Sequence, residues 1–109
     1  MPMTFTINEY LDENGRSPYD DWLSSLRDPR AKAKVISGVD RMEMGNLGDS
    51  EPVGEGVSEL RLHYGPGYRV YYAKDGQTIF LLLCGGDKST QKKDIKRAKR
   101  LWADHKKRK

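Results

Sequence analysis

A chain of 109 residues that is 36% hydrophobic and 33% charged has room for one domain, spanning 1–109, with a modest core. No run of about 18 apolar residues suggests a membrane span, and the Met1-Pro2-Met3-Thr4 start lacks the basic and apolar regions of a secretory signal. The net charge of +4 conceals an asymmetry: residues 88–109 hold eleven Lys/Arg and two acids, +9, whereas residues 1–87 hold nine and fourteen, −5, a distribution that points to a polyanion partner at the C-terminal end or to a solvated basic tail.

In chain order, Met3–Ile7 alternates apolar and Thr residues and predicts a first strand. Asn14-Gly15 is a turn. Ser17-Pro18 predicts a helix start, with Ser17 as N-cap, Pro18 at the first helical position and Asp20 and Asp21 where the helix dipole favours acids. Tyr19, Trp22, Leu23 and Leu26 follow at helical spacing. Asp28-Pro29 predicts a second start, with Val35, Ile36, Val39 and Met42 as its buried stripe and Gly45 as its C-terminal stop. The two helices read as a helical hairpin.

Gly45–Gly56 reads as a loop. Three strands are then expected, Val57–Tyr64, Tyr68–Lys74 and Thr78–Cys84, joined by Gly65-Pro66-Gly67 and by the tight-hairpin pair Asp75-Gly76 and ended by Gly85-Gly86. The unbroken Ile-Phe-Leu-Leu-Leu run suits a strand covered on both faces. Cys84 lies in that run; as the one cysteine it forms no internal disulfide, and it reads as a buried structural thiol of a reduced, cytoplasmic protein. A last helix is expected from near Ser89 to His105, with Ile95, Ala98, Leu101 and Trp102 as its apolar stripe and a fraying tail, Lys106–Lys109.

A three-residue Gly65–Gly67 loop would pair Tyr64 with Tyr68, setting His63 opposite Arg69 and Arg61 opposite Tyr71. Strand alternation gathers Glu59, Arg61, His63, Arg69 and Tyr71 on one face, and Leu60, Leu62, Tyr64, Val70 and Tyr72 on the other. The apolar face would pack on helices. The polar face suits RNA: arginine forks bind phosphate and stabilise a phosphorane-like transition state, Tyr and His stack on unpaired bases, and His or Glu moves a proton. Lys88, Lys92 and Lys93 would border it. An ordinary solvated sheet face explains the same pattern without chemistry. No His/Cys/Asp cluster has ligand spacing, so neither a metal nor another cofactor is expected.

The segment from Val57 through Glu59-Leu60-Arg61 and Gly67-Tyr68-Arg69-Val70-Tyr71, followed by Gly85-Gly86-Asp87-Lys88, with Pro18-Tyr19-Asp20-Asp21-Trp22-Leu23 earlier, resembles addiction-module killer proteins. These are the HigB-like, phage-derived Gp49-like branch of the RelE/ParE toxin superfamily. The resemblance implies an α+β fold: two N-terminal helices packed on a small curved antiparallel sheet (N-terminal strand plus three-strand meander) with a basic C-terminal helix. It implies a type II toxin that stops translation by cutting mRNA on the ribosome, with 2′-hydroxyl attack and no metal. A helix-turn-helix, HigA-like antitoxin would be its partner, the assembly being a dimer or a heterotetramer with that antitoxin.

Carried over, Arg61 and Arg69 are the leading catalytic positions and Lys88 the next. Relatives tend to hold Tyr or His before the lysines, where this chain has Cys84-Gly85-Gly86-Asp87-Lys88, so His63, Tyr71 or electrostatic stabilisation alone stand as alternatives for proton transfer. Lys92, Lys93, Lys96, Arg97, Lys99 and Arg100 are the expected RNA-binding residues. A gyrase inhibitor of the ParE type, or a degenerate toxin that only binds its antitoxin, are the competing expectations.

Overall fold

The computed structural model describes residues 4–108. Strand β1 (Thr6–Glu9) is followed by helices α1 (Pro18–Ser25) and α2 (Pro29–Glu43), then by strands β2 (Asp49–Gly54), β3 (Val57–Leu62), β4 (Tyr68–Lys74) and β5 (Ile79–Gly86). A 3-10 turn (Lys88–Thr90) leads into helix α3 (Gln91–Lys107). The architecture is α+β, with one five-stranded sheet of order β1-β5-β4-β3-β2. Four strands form an antiparallel meander, while β1 pairs parallel with β5. Part of the expected first strand, Met3, lies outside the described residues.

Both expected helix starts are present. Asp20 N–H donates to the Ser17 hydroxyl (3.0 Å), and Arg30 N–H donates to Asp28 Oδ1 (2.9 Å), each satisfying an amide the first turn leaves open. Helix α2 ends before Gly45, which has φ +85°. Its buried stripe is Ala31, Val35, Gly38, Val39 and Met42; Ile36 is instead 45% exposed, because one step past Val35 turns it about 100° off the packed face.

Three further corrections concern the sheet. The Gly45–Gly56 segment contains β2, an edge strand that pairs with β3. Its Gly, Asp and Pro52 read as loop residues, but an edge position tolerates a missing amide, and the ladder slips beside Pro52. Strand β5 runs past Cys84 and includes Gly85 and Gly86 as its last two residues. Between β3 and β4 the connection is longer than three residues, so Leu62 pairs with Tyr68 and Arg61 with Arg69, while Glu59 faces Tyr71. The register moves by two, so the face assignments survive while the partners change.

Both sheet faces are covered. On one, Leu60, Leu62, Val70, Tyr72, Phe80 and Leu82 pack under Tyr19, Val35, Val39 and Met42 of α1 and α2. On the other, Val57, Tyr71, Ala73, Leu81, Leu83 and Cys84 pack under Ala98 and Trp102 of α3. The glycines of β5 let the two layers close in. A Cβ on Gly85 would collide with the Trp22 ring, and one on Gly86 with the Asp94 carboxylate. Burial holds the Cys84 thiol neutral, with its pKa pushed up to about 12, as expected of a structural cysteine.

Candidate functional site

The polar half of the α3-facing side centres on Glu59, which is 1% exposed. Burying a carboxylate costs several kcal/mol unless its oxygens are satisfied, and here four side chains converge on it. Gln91 Nε2 (2.8 Å) and the Tyr71 hydroxyl (3.2 Å) donate to Oε1, and Arg61 Nε donates to Oε2 (3.1 Å). Arg69 Nε stands 3.3 Å from Oε1 as an ion pair. It lacks hydrogen-bond alignment there and has no other acceptor among the described residues.

The two paired arginines differ. Arg61 is held by three acids: its Nε by Glu59, its Nη2 by Glu51 and its Nη1 by Asp49 at 3.8 Å. Glu59 and Glu51 hold its proton more tightly than usual. Arg69 donates from Nη1 to the Gly67 carbonyl (2.8 Å), and among the described residues its Nη2 meets no acceptor. The loop that carries Gly67 also approaches Lys88: a Cβ at Gly67, where φ is +81°, would sit 3.3 Å from Arg69 Nη1 and 3.6 Å from the Lys88 Cβ. Glycine here lets the backbone run between the two cations.

Lys88 is exposed at the start of the 3-10 turn, which Asp87 caps by accepting from Ser89 N–H (2.8 Å). His63, whose side chain is 75% exposed, lies just past the end of β3 with Nε2 2.6 Å from Asp49 Oδ2. Arg69, Arg61, His63 and Lys88 therefore gather at the β3–β4 end of the sheet. Tyr71 does not present itself there: it is fully buried, and burial with the nearby Glu59 charge raises its pKa. Stacking on a base, one role expected of it, is closed to it by the α3 cover.

Of the six residues expected to bind RNA, Lys92, Lys93, Lys96, Arg97 and Arg100 are exposed along one face of α3, at spacings of one and four that align on a helix. Among the described residues none of the five makes an ion pair. Lys99 points elsewhere, half-buried and 3.4 Å from Glu55 in the β2–β3 turn. The sequence placed Glu59 on the right face and offered it for proton transfer, whereas the structure buries it as the shared acceptor at the centre of the cluster. The signal for it was the apolar stripe of α3, which needed a surface to cover. Among the described residues no group of three or more His, Cys, Asp or Glu side chains could hold a metal ion, and no helix is long and apolar enough to cross a membrane.

Residues 21–103 match the family described as "Phage derived protein Gp49-like (DUF891)". The chain belongs to this Gp49-like family, one of RelE-like toxins linked to toxin–antitoxin modules. An uncharacterized protein of Haemophilus influenzae is 52% identical over 83 residues, covering 76% of this chain and 84% of the relative. The matched span runs from α1 almost to the end of α3, so it includes Glu59, both arginines, His63, Lys88 and the α3 stripe of this Gp49-like chain.

Proposed function

We propose that this chain is a type II toxin that cuts mRNA on the ribosome, of the HigB-like kind, acting in the cytoplasm and held in check by a helix-turn-helix, HigA-like antitoxin. The observation that carries the reading is the largely buried Arg69 guanidinium, oriented by Glu59 and Gly67, with Nη2 unpaired among the described residues and exposed Lys88 on the other side of Gly67. A fork whose position is already fixed stabilises developing negative charge without reorganising.

In the reaction, a ribose 2′-oxygen forms a bond to the adjacent phosphorus as the bond from phosphorus to the 5′-oxygen breaks. The products are a 2′,3′-cyclic phosphate and a 5′-hydroxyl. Arg69 and Lys88 oppose the charge on the phosphoryl oxygens. The 2′-hydroxyl proton passes to His63, whose Nδ1 is left as acceptor when Nε2–H donates to Asp49. A proton reaches the departing 5′-oxygen from solvent or Lys88. The reaction as written uses no metal. Tyr71 and Glu59 are positioning residues for Arg69, and Arg61 ties β2 to that cluster. Lys92, Lys93, Lys96, Arg97 and Arg100 bind the RNA backbone, ribosomal RNA included.

A second reading, a binding toxin such as a ParE-type gyrase inhibitor, draws on Arg61, whose charge is already matched by three carboxylates within the protein. The deciding experiment adds the protein to a translation extract, maps new mRNA 5′ ends, and runs a gyrase supercoiling assay in parallel. New 5′ ends with supercoiling untouched support the nuclease. Intact message with blocked supercoiling supports the second reading. Intact message with supercoiling also untouched leaves an inactive, antitoxin-binding descendant.

A further inference from the structure

A polar groove lies between α2 and the β2–β3 edge, lined by Lys34, Ser37, Arg41, Asp49, Arg61 and His63, with Leu62 at its floor. Two of its cations are set for a ligand. Lys34 Nζ stands 5.3 Å above the Tyr64 ring, and Arg41 Nη1 donates to the Ser37 hydroxyl (3.0 Å). Among the described residues neither makes an ion pair. Both residues are exposed and seven apart on α2, two turns of the same helix face, about 10 Å along the axis, which spans one to two phosphates of an extended strand.

The ring beneath Lys34, beside the groove, is fixed in advance. Tyr64 donates its hydroxyl to Asp28 Oδ2 (2.7 Å), and its backbone N–H donates to the Leu62 carbonyl (2.8 Å). Asp28 is thereby a cap of α2 through one oxygen and an anchor of the β3–β4 loop through the other, and the Tyr64 hydrogen bond draws its carboxyl below the usual range. Exposed His63 precedes Tyr64 in the chain, and the groove shares His63 and Arg61 with the cluster at the β3–β4 end of the sheet. Two basic side chains and an exposed imidazole beside one anchored ring, contiguous with the proposed cleavage centre, are suited to an unpaired RNA strand.

We propose that this groove is a second RNA subsite, in which Lys34 and Arg41 bind backbone phosphates of the same message strand, flanking the scissile bond. The strand then runs from the Lys88 side, across the β3–β4 end of the sheet, to α2. This rests on the nuclease reading above. An acidic protein segment is the other chemistry such a groove accepts.

The test is message cutting in a translation extract by the wild-type chain and by the Lys34→Ala/Arg41→Ala variant, titrated with protein at several salt concentrations. Both residues are exposed, so the variant should melt with the wild type. The expected result is a roughly tenfold higher half-saturating concentration with the rate at saturation kept. The salt slope should flatten by about 1.4, the share of two single-strand phosphates. If the wild type cuts and the variant matches it in half-saturation and slope, the subsite is overturned while the nuclease reading stands. Matching cutting with lost competition by added oligo-glutamate would overturn it in favour of a protein partner. If the wild type leaves every message intact, the nuclease reading falls and the subsite with it.

Discussion

Two cationic regions share one side of this molecule and are built on opposite principles. Around Glu59 the cations are matched: Arg61 has three carboxylates, Arg69 has one, and the cluster lies under α3. Along α3 the cations Lys92, Lys93, Lys96, Arg97 and Arg100 are exposed and make no ion pair among the described residues. A matched, buried cation fixes geometry but has little charge left to attract a distant polyanion. An unmatched, exposed cation attracts one but fixes nothing. The total of +4 says nothing of this division, which is the reason to separate holding the strand from acting on it.

The largest effect expected is on the matched side. Glu59→Ala leaves Arg69 without its carboxylate and the Tyr71 hydroxyl, the Gln91 amide and Arg61 Nε without the acceptor they share, and a broken buried pair costs about 3–5 kcal/mol. Urea unfolding should show that loss, and a variant as stable as the wild type would mean that the cluster is solvated. Gly85→Ala comes next. The added methyl meets the Trp22 ring, so a loss of about 1–3 kcal/mol is expected, read as a lower melting temperature with no change in charge.

On the unmatched side, Lys92→Ala and Lys93→Ala should leave stability within about 0.5 kcal/mol. They should instead flatten the salt dependence of RNA binding by about 0.7 per lost phosphate contact, measured by titration at several ionic strengths. Loss of stability without a change in slope would place these lysines in the matched class. The smallest effect concerns Cys84. A thiol with a raised folded pKa contributes stability that is fully present below the unfolded value of 9.0 and is lost as pH rises toward about 12. Unfolding free energy should therefore be level in this respect to about pH 9 and decline above it, and the decline should be shallower in Cys84→Ala.

Local signals carried much of this architecture. Ser17-Pro18 and Asp28-Pro29 are self-contained helix starts, and the apolar run of β5 could only lie between two layers. Strand parity likewise kept Glu59, Arg61, Arg69 and Tyr71 together through a register shift of two. What sequence reasoning could not supply was long-range. It treated the polar face as open, whereas α3 lies across it and turns Tyr71 from a surface ring into a core residue. It read β2 as loop because Pro and Gly dominate its local signal, while Asp49 and Glu51 of that strand reach across to Arg61. Those two contacts are what separate Arg61 from Arg69, and no spacing along the chain encodes them.

The central claim is that Arg69, held by Glu59 and unpaired at Nη2 among the described residues, acts on the scissile phosphate while the α3 stripe only holds the strand. Its most direct test is the rate of message cutting at saturating protein for Arg69→Lys against Lys92→Ala/Lys93→Ala, each checked for an unchanged melting temperature. Lysine keeps the charge and removes the planar fork. The account predicts that Arg69→Lys slows cutting about a hundredfold or more at saturation, whereas the double lysine variant reaches the wild-type rate at higher concentration. Wild-type cutting by Arg69→Lys, or a saturation rate lost in the α3 variant, would contradict it.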